Sequence, residues 1–458
     1  MTKIETLPSP SGAFDRLARF NTDLRFEDIP EGVSRMAALY MLDLIGVAAA
    51  GSRLEAGKIA RDHAVRHWAA GLGAPSARLL FDGRPASLPG FGFAMAMQLD
   101  NLDAHDGWQP SKGHAGAALF PALAAFGAAA ETPLSGREAL TAFISGYEIA
   151  YRAAVALHAT VEDYHTSGAW NSLGCAAIGA RLRGLNEEML RHALGIAEYH
   201  GPRSQMMREI ANPTMLHDGT GFGAPVGIQA ALLAEDGFLG APAATVEFED
   251  AVFAWDNLGS EWLTTKQYIK PYPICRWAHA AIDAALTLRN AHDLKPEMIE
   301  RVEISTFEYS VALNCEVPTT TSNAQYSLAW PVACALVRGE VGVEEVMESS
   351  FKDPHLVAMT ERTSAIVDPH IETTFPDERL ASVGITLKNG DVLDSGVTQA
   401  SGGPDPQPSQ QEVVDKFHAF AGPVIGSERS ETIVSTTLAL HEENRHFSDL
   451  LELLFQPA

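Results

Sequence analysis

Two stretches of this chain are apolar on nearly every side: MAALYMLDLIGVAAAG at 36–51 and AGAALFPALAAFGAAA at 115–130. A helix with a single apolar stripe can lie on a surface. One that is apolar all round has to be enclosed, by other helices or by lipid. The second stretch is short and mostly Ala and Gly, whereas a membrane span needs about 20 predominantly apolar residues. Both stretches therefore read as central helices of a large helical body. At 458 residues the chain exceeds what one simple core serves, so two or three domains are expected.

Helical texture runs from about 13 to 235, behind a loose tail at 1–12. Ser135-Gly-Arg-Glu138 reads as a capping box ahead of a helix over 139–158. Asn186 caps a helix over 187–200, and PVGIQAALLAEDG makes another that ends at Gly237. Near 265 the texture changes. KPYPICRWAH opens with prolines, and an amphipathic helix follows over about 276–292. RVEISTFEY (301–309) alternates as a strand, 326–339 is helical despite Pro331, and LASVGITLKNGDVLDSGV (380–397) is a hairpin turning on Asn389-Gly390. SGGPDPQPSQ (401–410) is a linker, and helices resume beyond it. These last helices either form a third small piece or rejoin the first body, and short linkers on both sides of the insert favour the second. The expected fold is mainly α with an α+β insertion: an all-helical domain from 1–265 plus 405–458, and a smaller α+β domain over 266–404.

The formal net charge is −25, which repels nucleic acid and anionic membrane at long range, so neither is expected as a partner. An anionic substrate would need local positive charge, for which Lys112, Arg203, Arg208, Lys270 and Arg276 are the candidates. The four cysteines (Cys175, Cys275, Cys315 and Cys334) form no CxxC pair, which argues against a disulfide framework or structural zinc. The N-terminal residues MTKIETLPSPSGAFD contain no apolar signal core, and a cytoplasmic location is the expectation.

Between the apolar segments 91–99 and 115–130 lies the densest cluster of titratable groups, Asp103-Ala-His105-Asp106 followed by Lys112-Gly-His114. Apolar walls and close charged neighbours move pKa values toward working pH, so the cluster suits acid/base chemistry. It could equally be a capped loop. A metal site is the weaker reading, because the spacing matches no standard motif and HExxH is absent. In DYHTSGAWNSLG (163–174), His165 precedes a small polar stretch that either offers backbone N–H groups to an anion or merely caps a helix. NPTMLHDGTGFGAPVG (212–227) is neither GxGxxG nor a P-loop; its glycines allow close backbone approach and leave His217 and Asp218 exposed beside them. In KPYPICRWAH (270–279), Lys270 and Arg276 flank a rigid elbow and suit carboxylate binding, or mark a hinge; Cys275 reads as a buried thiol.

Taken in order, these stretches resemble the MmgE/PrpD family, which includes 2-methylcitrate dehydratase, cis-aconitate decarboxylase and iminodisuccinate epimerase. The resemblance spans nearly the whole chain, from LRFEDIPEGVSRMAALYMLDLIGVAAAGS (24–52) through YHTSGAWNSLGCAAIGARLRGL (164–185), AALLAEDGFLGAP (230–242) and KPYPICRWAHAAIDA (270–284) to PDPQPSQQEVVDKF (404–417). It implies a large helical domain built from both chain ends, a smaller α+β lid, a homodimer, and no cofactor or metal. Asp103, His114, His165 and Lys270 match residues of the family's site. His105 and Gly107 replace an acidic residue and a small hydroxyl residue, His217 stands about where cis-aconitate decarboxylase has a lysine, and Trp330 falls where that enzyme has a tyrosine.

The function this implies is proton abstraction α to a carboxylate of a small polycarboxylate. Asp103, His114, His165, His217 and Lys270 would be catalytic, and Arg203, Arg276, His105 and Trp330 would bind substrate. Dehydration is the first expectation, epimerisation the second and decarboxylation the third. A non-catalytic carboxylate-binding protein and a metal hydrolase are the readings from other classes.

Overall fold

In the computed structural model, which describes residues 11–458, the stretch at 36–51 lies within a helix spanning Glu31–Gly51. That helix is long and apolar enough to cross a membrane, yet 94% of its most apolar window is buried inside the protein. Most of the expected loose tail lies outside the described residues. Ser11 is already structural, its Oγ accepting from the Phe14 N–H (3.1 Å) to cap the first helix.

The helical body comprises α1 (Gly12–Asp23), α2 (Glu31–Gly51), α3 (Glu55–His67), α4 (Leu88–Asp100), α5 (Gly116–Ala128), α6 (Gly136–Thr160), α7 (Gly168–Leu182), α8 (Glu187–His200), α9 (Met206–Ala211) and α10 (Thr220–Glu235). A two-stranded hairpin, β1 (Ser76–Arg78) with β2 (Pro85–Ser87), is a small addition that the sequence reading lacked. Helices α4, α5, α7 and α10 pack against one another in the middle. Small residues set their spacing: a Cβ on Gly227 of α10 would overlap the Ser172 carbonyl of α7. Each large apolar side chain buried here, such as Phe91, Phe120 or Leu173, stabilises the fold by about 1.5–3 kcal/mol.

Several helix starts are those the sequence specifies. The Asn186 side chain accepts from the Met189 N–H (2.9 Å) at the start of α8. Ser135 accepts from the Glu138 N–H (3.1 Å) at the start of α6. The other half of that expected box is missing, because the Glu138 carboxylate pairs with Arg181 of α7 (2.7 Å) instead. α10 begins five residues before the expected 225, with Pro225 tolerated in its first turns.

After residue 266 the chain forms α11 (His279–Ala291), α12 (Ala329–Arg338) and a mixed sheet of β3 (Ile299–Thr306), β4 (Thr363–Val367), β5 (Leu380–Leu387), β6 (Val392–Asp394) and β7 (Thr398–Gln399). The strand order is β4-β3-β5-β6, with β7 also on β5; β3 pairs β4 in parallel and β5 antiparallel. β5 and β6 make the hairpin, and its turn has Gly390 at φ 96°. Beyond 409, α13 (Gln410–Ile425), α14 (Ser427–Leu438) and α15 (Phe447–Leu454) follow. α13 and α14 lie on α2. Lys416 of α13 is buried against Asp43 of α2 (2.6 Å) and donates to the Ala104 carbonyl (2.6 Å), so the C-terminal helices hold the titratable loop from behind.

Candidate active site

The loop between α4 and α5 brings its charged residues to a narrow cavity of about 30 Å³, room for one water. Asp103 and His114 of that loop line it, together with Lys270, Arg276 and Asp218. Gln325 holds the loop in register: its Oε1 accepts from the Asp103 N–H (2.8 Å) and its Nε2 donates to the Asn101 carbonyl (2.9 Å). Gly107 is required by closeness, since a Cβ there would overlap the Tyr268 hydroxyl and stand 2.7 Å from His114 Nδ1.

Lys270 is fully buried, and its ammonium is bonded to the Asp103 carboxylate. Burial alone would drive both toward neutrality, but each offsets it for the other. Asp103 is held below the usual carboxylate range by Lys270, with His114 and His105 adding to the effect, and Lys270 is held above the usual lysine range by Asp103. A charged pair thus sits at the cavity wall. The ligand atoms of Asp103, His105 and His114 lie within 4.8 Å of one another, a spacing that could hold a metal ion. Lys270 already places a positive charge on the same carboxylate.

His114 has a defined tautomer. Its Nδ1–H donates to the Asp106 carbonyl (2.6 Å), because a carbonyl can only accept. Nε2 therefore presents a lone pair, and it stands 3.3 Å from Asp218 Oδ2. Burial, then Lys270 and His105, push the imidazole pKa well below its ordinary value, so the ring is neutral. Burial and the neighbouring carboxylates Asp100 and Asp103 push Asp218 well above its ordinary value, so it keeps its proton. A neutral base and a neutral acid are thereby in contact beside a fixed ammonium.

His105 and His217 pack behind this wall. His105 is fully buried, with its ring perpendicular to His114 (4.6 Å between centroids) and Nε2 at 3.4 Å from Asp100 Oδ1. It is an expected substrate-binding residue, and it is not among the residues that line the cavity. His217 has φ 44° and lies against Tyr326 (5.4 Å), with Nε2 3.4 Å from Ser322 Oγ. Burial pushes its pKa down to about 4. Neither His217 nor Asp218 is exposed as expected; they are 3% and 5% accessible because the close approach of α10 and α7 closes over them.

Three expected site residues lie elsewhere. His165 makes a backbone bridge with Gln205, and its charged neighbours are Arg203 and Asp163. Two of the N–H groups after it are already used, Thr166 donating to the Ser204 carbonyl and Gly168 to the Asp218 carbonyl. Arg203 is exposed. Trp330 is a core residue whose Nε1–H donates to the Glu345 carbonyl (2.9 Å). Tyr326, which ends the short helix at Thr321–Gln325, lines the cavity instead. The sequence reading assigned no site role to Asp218, Tyr326, Tyr268 or Arg379. Asp218 had a signal, its adjacency to His217; Arg379 had none. Cys275 also lines the cavity, but burial pushes its thiol up to about 12, which leaves it unreactive.

Two family models match the chain: the MmgE/PrpD N-terminal domain over residues 15–262 and the MmgE/PrpD C-terminal domain over 272–442. Similar proteins include the cis-aconitate decarboxylase-like protein oryM of Aspergillus oryzae, 24% identical with 96% of each chain covered. The cis-aconitate decarboxylase of Mus musculus is 24% identical over 95% of this chain and 92% of its own. That of Aspergillus terreus is 22% identical over 98% and 96%.

Proposed function

The chain belongs to the MmgE/PrpD family, and from that premise we propose that it is a lyase acting on a small di- or tricarboxylate by removing the proton α to a carboxylate and expelling water. The observation that carries this reading is the contact between a neutral His114 and a protonated Asp218 beside the Lys270 ammonium. Dehydration needs one group that can take a proton and one that can give one, at the same pH. Here burial splits the two pKa values in opposite directions and supplies both.

In the proposed reaction the substrate enters between the two groups, with a carboxylate on Lys270. His114 Nε2 takes the α-proton, and the C–H electrons become the second bond of an alkene. The adjacent C–O bond breaks, and its electron pair leaves as hydroxide that takes the Asp218 proton and departs as water. Lys270 stabilises the negative charge that gathers on the substrate carboxylate during this step. Once the product has left, the His114 imidazolium returns its proton to Asp218 across the 3.3 Å contact, which restores the starting state. The same reading takes residues 1–265 with 405–458 as one domain and 266–404 as a lid; the packing of α13 on α2 supports it. The cavity is too small for such a substrate when closed, so these two parts must separate for entry.

Decarboxylation is the second reading, favoured by the names of the similar proteins. Asp218 would then protonate carbon as carbon dioxide leaves. Incubation of the protein in D₂O with 2-methylcitrate, citrate, iminodisuccinate and cis-aconitate separates the cases. Growth of an alkene absorbance marks dehydration, released carbon dioxide marks decarboxylation, and deuterium at the α carbon without loss of water marks epimerisation. If none of the three appears with any of the four acids, the enzyme reading fails.

A further inference from the structure

Acidic residues outnumber basic ones in this chain by 58 to 33, so a cation left without a carboxylate is conspicuous. Three of them, Lys112, Arg276 and Arg379, line the one cavity described above, and none has an ion pair among the described residues. Arg276 is fixed in place. Its guanidinium donates to the Ser401 carbonyl (2.7 Å) and the Ala400 carbonyl (3.2 Å) and lies over the Tyr268 ring at 4.5 Å. Arg379 has a buried Nε–H with no hydrogen-bond partner. Lys112 lies over the Tyr164 ring at 5.6 Å, in a left-handed backbone conformation (φ 55°) that the tight turn into Gly113 imposes. The two carboxylates on the same wall are committed elsewhere, Asp103 to Lys270 and Asp218 to His114. Arg276 and Arg379 also repel each other's charge, a cost that an anion between them would remove.

We infer that Arg379 and Lys112, with Arg276 beside them, form a second carboxylate subsite. The di- or tricarboxylate would then lie with its reacting end on Lys270 and its distal carboxylate here. This rests on the proposed function and extends it. Lys112 comes from the loop between α4 and α5, and Arg379 precedes β5, so a distal carboxylate ties the helical body to the sheet-bearing segment. A monocarboxylate cannot make that tie.

The test uses the full-length protein and calorimetric titration with tricarballylate, butyrate and inorganic phosphate. Wild type is expected to bind tricarballylate, and Arg379→Gln and Lys112→Gln each to weaken that binding by roughly tenfold or more, the loss of one charge-assisted bond. Arg379→Lys keeps the charge without the fork and should recover part of the loss. Butyrate should bind weakly and equally to all four proteins. Circular dichroism checks folding; both side chains are only half-buried. Unchanged tricarballylate affinity in both glutamine variants overturns the subsite, as does tighter binding of phosphate than of tricarballylate at Arg379. If Lys270→Ala weakens tricarballylate while the glutamine variants do not, only the subsite fails. If wild type binds neither organic acid, the proposed function fails with it.

Discussion

Two buried ion pairs in this protein look alike by burial and differ in everything around them. Glu148 and Arg152, both within α6, pair at 2.5 Å. The Glu148 carboxylate also accepts from the backbone N–H groups of Leu263 (3.1 Å) and Thr264 (2.8 Å) and from the Thr264 hydroxyl, and Arg152 donates to Asn257 and to the Glu261 carbonyl. Both carboxylate oxygens and both terminal guanidinium nitrogens are bonded, and Arg152 Nε is left without a partner. Asp103 and Lys270 also pair, but their surroundings are left unfinished. Both ring nitrogens of His105 lack hydrogen-bond partners, as do His217 Nδ1 and Asp106 Oδ1. Unmet buried polar groups cost about 1–3 kcal/mol each, so a fold keeps several together only where they serve another purpose. The first pair joins α6 to the chain at 257–264. The second stands at a cavity, with both Asp103 and Lys270 on its wall.

The comparison breaks first at the acid and base. Asp218→Asn or His114→Ala should lower kcat by about 10²–10⁴ in a steady-state assay on the acid that proves active, because each removes one proton carrier. Losses below tenfold would mean that the contact between them is incidental. Arg152→Met should do the reverse. It strands the Glu148 charge and should destabilise the fold by about 3–5 kcal/mol in denaturant titration, while kcat per folded molecule stays the same. A variant that is inactive yet stable would erase the distinction between the two pairs.

A smaller effect tests the protonation state itself. The unfolded pKa of an aspartate is about 3.9, and that of Asp218 in the folded protein lies well above it. A carboxyl raised on folding contributes stability that is fully present below the unfolded pKa and is lost as pH rises toward the folded one. The Asp218 contribution to wild-type stability should therefore fall from about pH 4 upward. Asp218→Asn should lose less and melt a few degrees higher near neutrality. Melting curves of the two proteins that stay parallel across that range would mean Asp218 is ionised when folded, and the proposed acid would be gone.

The fold was legible where one physical signal dominates. The all-round apolarity of 36–51 demands enclosure, and Asn389-Gly390 between alternating strands demands a hairpin. β4 was illegible because most of its residues remain at least partly exposed, so no period-two burial marks it. In the site, Asp103, His114, Lys270 and Arg276 were legible as charge held between apolar walls or at a rigid elbow. The sequence around Asp218 reads as an exposed loop because it is glycine-rich and polar, whereas here it leads into α10, whose glycines let it pack closely on α7. Trp330, expected to bind substrate, lies in the core about one helical turn from Tyr326, which lines the cavity. α12 starts at Ala329, so Tyr326 precedes the helix and faces the cavity. Arg379 depends on where β5 begins in space, which no local pattern encodes.

His165 gives the finest test, because sequence resemblance and geometry disagree on it. The resemblance makes it catalytic, on a par with His114. The structure places it outside the cavity wall, on a backbone bridge to Gln205 and within the field of Arg203. Burial and Arg203 push its pKa down, so it is a neutral ring in the loop before α7 rather than one on the cavity wall. His165→Ala should therefore cost kcat much less than His114→Ala. Its effect should also fall evenly on tri- and monocarboxylate binding, as a change in local packing does. Equal losses from the two substitutions would mean that opening of the lid and substrate entry carry His165 into the cavity, and the site would then have two imidazoles at work instead of an imidazole and an acid.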